Sequence, residues 1–339
     1  MRADLEHRLA GIWYGNEPVP AWLKSLVPVY RLASRIDRWW KLKNKCADLA
    51  GTCIVVVGNI TVGGSGKTPL VIRLCRIFSE AGLAPGVISR GYGRKERGLR
   101  LVSPASSPDV VGDEPLLIAR RTGVPVVVAA DRCDAARALL KQKVRVIISD
   151  DGLQHHRLPR SVEICVIDGP RGLGNGRLIP AGPLRELPER LSSVDHVIIN
   201  GASDCVPGDI DAQSMLLAPG LLKSLVDGEA WRLSQFAGCT VNAVAGIAHP
   251  DRFFNLLLHR GIKVVEYAFA DHHAYSAADF STMDKNFPIM MTEKDAVKCT
   301  GLGLKNAWFL TVDAHLPHQW EHLLLQQVIR KVTHSTHSS

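Results

Sequence analysis

Hydrophobic and polar positions alternate in blocks along most of this chain. Between residues 52 and 200, short apolar runs rich in β-branched residues lie at 53–58, 86–89, 124–129, 144–149, 162–168 and 194–200, and read as strands. Over 67–80, 114–121 and 131–142 the apolar residues instead recur every three or four positions, which predicts helices. Strands and helices in alternation predict an α/β fold with a mostly parallel sheet covered on its faces. Residues 201–236 lose the pattern and read as a connector. It resumes at Thr240, with strands near 241–246, 262–268, 288–291 and 307–312 and helices at 250–260, 276–285 and 317–331. The expected organisation is a larger domain over 46–205, a connector over 206–236 and a smaller α/β domain over 237–339. The closing THSTHSS reads as a frayed tail.

Residues 1–45 form a segment of their own. Val29, Leu32, Ala33, Ile36 and Trp39/Trp40 recur at helical spacing, with Arg31, Arg35 and Arg38 on another face, so an amphipathic basic helix is expected. Pro28 is expected to break the segment in two. Nine Lys/Arg stand against four acids here, so most of the chain's net +8 is in this segment, with four of the seven tryptophans. Basic charge mixed with tryptophan suits an anionic membrane surface; a helix packed on the protein's own core is the alternative. No nucleic-acid-binding motif follows, and a nucleic-acid partner is not expected. The start, MRADLEHRLAG, lacks the apolar stretch of a signal peptide, and no uncharged apolar run is long enough to span a bilayer. Eight cysteines are scattered without a C-x-x-C pair, several inside apolar runs, which favours buried free thiols over a disulfide framework or a zinc site.

The polar, glycine-bearing clusters all follow predicted strands, at the edge where open α/β sheets bind ligands. NITVGGSGKT follows 53–58, RGYGR follows 86–89, Asp131-Arg132 follows 124–129 and DDGLQHH follows 144–149. The strand at 162–168 leads into GPRGLGNGRLIPAGPLRE, a long connection of the kind that usually carries function. In the second domain ADHH and TEKDAVK occupy the same position, so a cleft between two lobes is expected. The first cluster has the order of a phosphate-binding P-loop: strand, glycine loop, Lys67-Thr68, helix. Its backbone N–H groups at Thr61, Val62, Gly63, Gly64, Ser65 and Gly66 would cradle phosphates. Lys67 would reach the β/γ-phosphates and the Thr68 hydroxyl would sit on Mg²⁺. The strict pattern has glycine where Thr61 stands.

A phosphate cradle can serve hydrolysis, a switch, or transfer of the γ-phosphoryl group. Transfer to a hydroxyl needs a cation on the phosphates and a carboxylate or histidine to take the proton. Asp150 and Asp151 end an apolar strand, where a carboxylate is expensive without a cation, and Mg²⁺ is the natural partner. Asp113, in GDEP, is either the N-cap of the helix beginning at Glu114, an acid with a function, or both. Arginines 90, 94, 132, 171, 177 and 185 all lie at strand ends. His155-His156 and His272-His273 have no further ligand at zinc spacing; a histidine beside Asp271 could instead pair with a catalytic carboxylate.

Taken together, VVVGNITVGGSGKTP (55–69), SRGYGR (89–94), GDEP (112–115), SDDGLQHHRL (149–158), VIDGPRGLGNGRLIPAGPLRE (166–186), FADHH (269–273) and MTEKDAVK (291–298) resemble the tetraacyldisaccharide 4′-kinase family, the lipid A 4′-kinases of Gram-negative bacteria. The resemblance covers nearly the whole chain, and the family's loop also lacks that first glycine. It implies a two-lobed P-loop kinase on the cytoplasmic face of the inner membrane, held peripherally by its basic segment. That kinase would move the γ-phosphate of ATP to the 4′-hydroxyl of an acylated glucosamine disaccharide 1-phosphate. By matching motifs, Asp113 corresponds to the general base and His272 to its supporting histidine. Thr68, Glu114, Asp150 and Asp151 fall where Mg²⁺ is held. Tyr92, Arg132, Arg171, Asn175, Arg185 and Glu186 correspond to residues facing the acceptor. A P-loop switch ATPase that binds a partner or membrane without modifying a substrate is the alternative. The second lobe and the long 169–186 loop favour an acceptor site over it.

Overall fold

The computed structural model describes residues 2–202 and 210–336. In chain order its strands are β1 (Cys53–Gly58), β2 (Pro85–Ser89), β3 (Arg100–Val102), β4 (Val126–Val128), β5 (Val146–Ser149), β6 (Val162–Asp168) and β7 (His196–Asn200). There follow β8 (Ala212–Ser224), β9 (Ala230–Trp231), β10 (Thr240–Ala245), β11 (Lys263–Ala268), β12 (Ile289–Thr292) and β13 (Ala307–His315). The helices are α1 (Arg2–Tyr14), α2 (Ala21–Lys43), α3 (Lys67–Glu80), α4 (Pro108–Val111), α5 (Asp113–Thr122), α6 (Arg132–Leu140), α7 (Pro250–His259), α8 (Glu293–Cys299) and α9 (His318–Thr336).

The sheet runs β11–β10–β12–β13–β8–β7–β6–β1–β5–β2–β4–β3, with β9 on β8. Pairs are parallel except β3 on β4, β13 on β8 and β9 on β8. In β1 the run Ile54, Val55, Val56, Val57 is fully buried on both faces, as a central parallel strand requires. Val55 and Val57 pack with Leu70 and Leu74 of α3, Leu116 of α5 and Leu324 of α9. Ile54 and Val56 pack with Ala135 and Leu139 of α6 on the opposite face. Each such Val, Leu or Ile side chain contributes roughly 1.5–3 kcal/mol. In the second half, Phe253, Phe254 and Leu257 of α7 cover one face, and Ala296 and Cys299 of α8 pack on the other.

Several expectations are corrected. The stretch read as an irregular connector holds the longest strand, β8. Its first residues run parallel to β7, and the rest runs antiparallel to β13. Pro219 and Gly220 hide it, and the ladder tolerates them beside a register shift between Leu310 and Val312. The helix expected at 276–285 is only a 3₁₀ turn, Ala277–Phe280. TEKDAVK, in contrast, is helical (α8). α9 runs to Thr336, into the stretch expected to fray, and 337–339 lie outside the described residues. Cys46 and Cys133 are bonded to each other rather than free. They are far apart in sequence, and only the packing of α6 against the turn after α2 brings them together. Cys53, Cys75, Cys165, Cys239 and Cys299 are free, and Cys205 lies outside the described residues.

Pro28 does not break the N-terminal segment. It lies inside α2 on the exposed side, so the carbonyl one turn back loses its helical partner where water can replace it. The break comes earlier, before Pro20, which precedes α2. α2 is anchored by Leu23, Val27 and Tyr30. Trp22, Val29, Leu32, Ile36, Trp39 and Trp40 are instead 52–63% exposed. No helix among the described residues is long and apolar enough to cross a membrane.

Candidate active site

The glycine loop joins β1 to α3 and is tied down on three sides. Asn59 donates to the Gly63 carbonyl at 3.2 Å, and Asn200, at the end of β7, donates to the Ser65 carbonyl at 3.3 Å. Val62 N–H donates to Pro183 at 2.9 Å, and Arg185 N–H to Ile60 at 2.7 Å, which lays the 169–186 loop along the glycine loop. Gly66, at φ 90°, precedes α3, and a Cβ there would come within 2.7 Å of the Asn200 amide nitrogen. Both the conformation and the space therefore require glycine. Lys67 and Thr68 open α3, so the unpaired N–H groups of its first turn, the helix dipole and the ammonium converge on one point.

Three carboxylates face this point with different electrostatics. Lys67 stands 3.5 Å from Asp151, and Arg185 is 3.2 Å from it. Burial works against ionisation of Asp151, but Lys67 and then Arg185 outweigh it and hold its carboxyl down to about 2. Asp150, 1% exposed, has the opposite balance. Burial, then the charges of Glu114 and Asp151, push it up to about 7. Its Oδ1 is buried without a partner; its Oδ2 has only the Ser89 hydroxyl at 3.4 Å. Glu114 is held below the usual carboxylate range by Lys294, whose ammonium bonds it.

The later part of the chain contributes the remaining groups. His272, at φ 59° in the turn after β11, donates its Nδ1 proton to Asp113 Oδ2 at 3.0 Å. That bond raises its basicity above the ordinary imidazole value. Asp113 opens α5, which packs on α3, so the Asp–His pair lies beside the phosphate cradle. Among the described residues no three His, Cys, Asp or Glu side chains converge to hold a metal by themselves. An ion here needs other oxygens to complete its shell, the habit of Mg²⁺ bound by one or two carboxylates and phosphates.

A profile of the tetraacyldisaccharide-1-P 4′-kinases (LpxK) matches residues 19–329. The tetraacyldisaccharide 4′-kinase of Xanthomonas euvesicatoria is 45% identical over 324 residues, covering 91% of this chain and 92% of that one. That of Shewanella piezotolerans is 48% identical over 277 residues, covering 81% and 82%. The chain belongs to the tetraacyldisaccharide-1-P 4′-kinase family. LpxK of Aquifex aeolicus, solved in complex with ATP, superposes with a TM-score of 0.71 at 27% identity, covering 91% of this chain and 98% of that one. Like the tetraacyldisaccharide 4′-kinases it matches, this chain is a kinase with a mostly parallel α/β fold.

Within this LpxK-family site the residues singled out from sequence take several positions. Thr61 bridges to Leu184, and Thr68 is buried at the start of α3. Gly63 lies under Arg171, whose guanidinium sits 4.3 Å from the Tyr14 ring centroid. Tyr92 is exposed, with its ring 5.3 Å from that of His272. Arg132 is buried behind Asp150, donating to its carbonyl at 3.1 Å, and burial brings its guanidinium down to about 10. Glu186 accepts from Gln154 at 2.7 Å. Asn175 points the other way: it donates to the carbonyls of Ile12 and Ala181 and fixes the end of α1. Sequence reasoning assigned nothing to Asn200, Gln154, Tyr14, Lys294, Asp295 or Lys298. For Lys294 and Lys298 the i, i+4 spacing in TEKDAVK was the available signal.

Proposed function

We propose that this protein is the lipid A 4′-kinase itself, moving the γ-phosphate of ATP to the 4′-hydroxyl of an acylated glucosamine disaccharide 1-phosphate. The observation that carries the reading is the Asp113–His272 pair, formed across the two lobes beside the glycine loop. The loop's N–H groups and Lys67 hold the triphosphate and draw charge off the transferring group. Mg²⁺, when bound, neutralises charge on the phosphates. Asp150, with its unpartnered buried oxygen, Thr68, Asp151 and Glu114 are the oxygen donors that would hold it. Asp113 takes the acceptor hydroxyl proton, and His272 fixes the orientation of that carboxylate. The 169–186 loop, with Arg171 and Arg185, and Tyr92 line the acceptor side. Arg132 supports that side from behind Asp150.

The exposed tryptophan-bearing face of α2, flanked by Arg31, Arg35 and Arg38, rests on an anionic bilayer, from which the acylated acceptor is drawn. α1 and α2 touch the site directly: Tyr14 donates to the Val62 carbonyl at 3.1 Å and Tyr30 to that of Arg185 at 3.0 Å. The test is incubation with ATP and the acylated disaccharide 1-phosphate. The expected product is the 4′-phosphorylated lipid, with turnover abolished in Asp113→Ala while ATP still binds. ATP hydrolysis indifferent to the lipid, with no phosphorylated product, would overturn the reading in favour of a switch ATPase.

A further inference from the structure

Asp113 accepts from His272 at Oδ2, and a buried ammonium approaches the same oxygen. Lys298, in the last turn of α8, places its ammonium 4.0 Å from Asp113 Oδ2 and 3.0 Å from Asp295 Oδ1. The Lys298 side chain is 5% exposed and that of Asp295 is fully buried. Asp295 is saturated: it accepts from the Gly246 N–H at 3.0 Å, the Tyr275 hydroxyl at 3.0 Å and the Thr292 hydroxyl at 2.6 Å. The ammonium also lies 5.0 Å from the Tyr275 ring centroid, over its face.

A buried lysine is costly, and its pair with the buried Asp295 offsets that cost. The same ammonium also lies within reach of a second carboxylate, Asp113. We infer that Lys298 is a positioning residue for Asp113, a fixed cation that holds this carboxylate aimed into the cleft. Every group that fixes the Lys298 ammonium belongs to the second lobe, and Asp113 belongs to the first. α5 is fastened to α8 at its other end as well, where Arg121 bonds Glu293 at 2.6 Å. The base is therefore aligned from the lobe opposite the glycine loop, by two side chains that approach the same Oδ2. Without Lys298, Asp113 and Asp295 would share a buried site with no cation between them, and Asp113 would swing away from its neighbour.

This inference rests on the reading of Asp113 as base, and the test separates the two. Turnover and ATP KM are measured for Lys298→Met, Lys298→Arg, Asp113→Ala and the double variant Asp113→Ala/Lys298→Met, with folding read by circular dichroism. The expected result for Lys298→Met is a kcat lower by about 10- to 100-fold with ATP KM within about twofold. Lys298→Arg recovers part of that loss, and Lys298→Met costs nothing further on the Asp113→Ala background. Turnover of Lys298→Met within twofold of the parent overturns the inference, as does a loss that multiplies with that of Asp113→Ala. Should Lys298→Met not fold, the same cycle run with Lys298→Gln decides by the same criterion. Near-normal turnover in Asp113→Ala would instead remove the base assignment.

Discussion

Replacing Arg121 by methionine tests whether α5 is fastened to α8 and β13 by charge. Arg121 and Glu293 are each 9% exposed, and the guanidinium reaches both Glu293 oxygens, at 2.8 and 2.6 Å, and Asp313 at 2.5 Å. Methionine keeps most of the volume and leaves Glu293 buried without its cation. Breaking a buried pair from one side costs about 3–5 kcal/mol. For a chain of this length that lowers Tm by about 4–7 °C. The pH dependence gives a second reading. Burial already raises Glu293 above the ordinary carboxylate value, and hydrogen bonds from Arg121 oppose it. Removing Arg121 raises it further, so the folded variant binds a proton that the unfolded chain releases. Its stability therefore falls as pH rises from the ordinary carboxylate range through the raised folded value. Urea unfolding of parent and variant, compared at pH 5 and pH 7.5, reads the difference, because titrations common to both cancel. The gap should be larger at pH 7.5. A gap under about 1 kcal/mol at pH 7.5, or one that widens at pH 5, would refute the reasoning.

Gly66→Ala forces a side chain into a left-handed position and against Asn200. The strain and overlap should cost roughly 2–4 kcal/mol and weaken ATP binding at least tenfold; unchanged affinity by calorimetry would show that the loop relaxes freely. Serine at both Trp39 and Trp40 should reduce co-sedimentation with anionic vesicles in a salt-sensitive manner, and equal partitioning would remove α2 as the docking face. Asp150, raised to about 7, should lose its proton when a cation neutralises it. Mg²⁺–ATP affinity should then rise as pH passes from about 6 to 8. Calorimetry in two buffers of different ionisation heat should show proton release at pH 7 that shrinks in Asp150→Asn, and equal release in both proteins would contradict the assignment.

The elements with strong periodicity were legible in the sequence. β1 and α3 stand where the apolar pattern put them, because a strand buried on both faces and a helix at a glycine loop leave compositional marks. β8 was not legible, since Pro219 and Gly220 look like a turn until β13 is there to pair with. Pro28 misled in the other direction, because its cost depends on whether the orphaned carbonyl faces water. The same division holds in the site. Lys67 was visible from the order of strand, glycine loop, Lys-Thr and helix, and Asp150 and Asp151 as carboxylates ending an apolar run. Lys298 was not, because its role comes from Asp113, 185 residues away in the chain and brought close by the packing of α5 on α8.

That packing also explains why Asp113 and Glu114 meet groups from α8 and from the turn after β11. Asp113 and Glu114 form the first turn of α5, where the helix dipole favours negative charge, and α5 packs on α3. The spacing from Asp113 to the glycine loop is thus set by the packing of α5 on α3. His272 comes from the turn after β11 and Lys294 and Lys298 from α8, and each reaches one of those two acids, Lys298 from its closer pair with Asp295. The contacts of His272 and Lys298 with Asp113 add little to nucleotide binding, since the glycine loop is tied down by Asn59, Asn200 and the 169–186 loop without them. Their loss should therefore be felt in turnover rather than in ATP affinity. Damage to the glycine loop should show the reverse order, with affinity failing first.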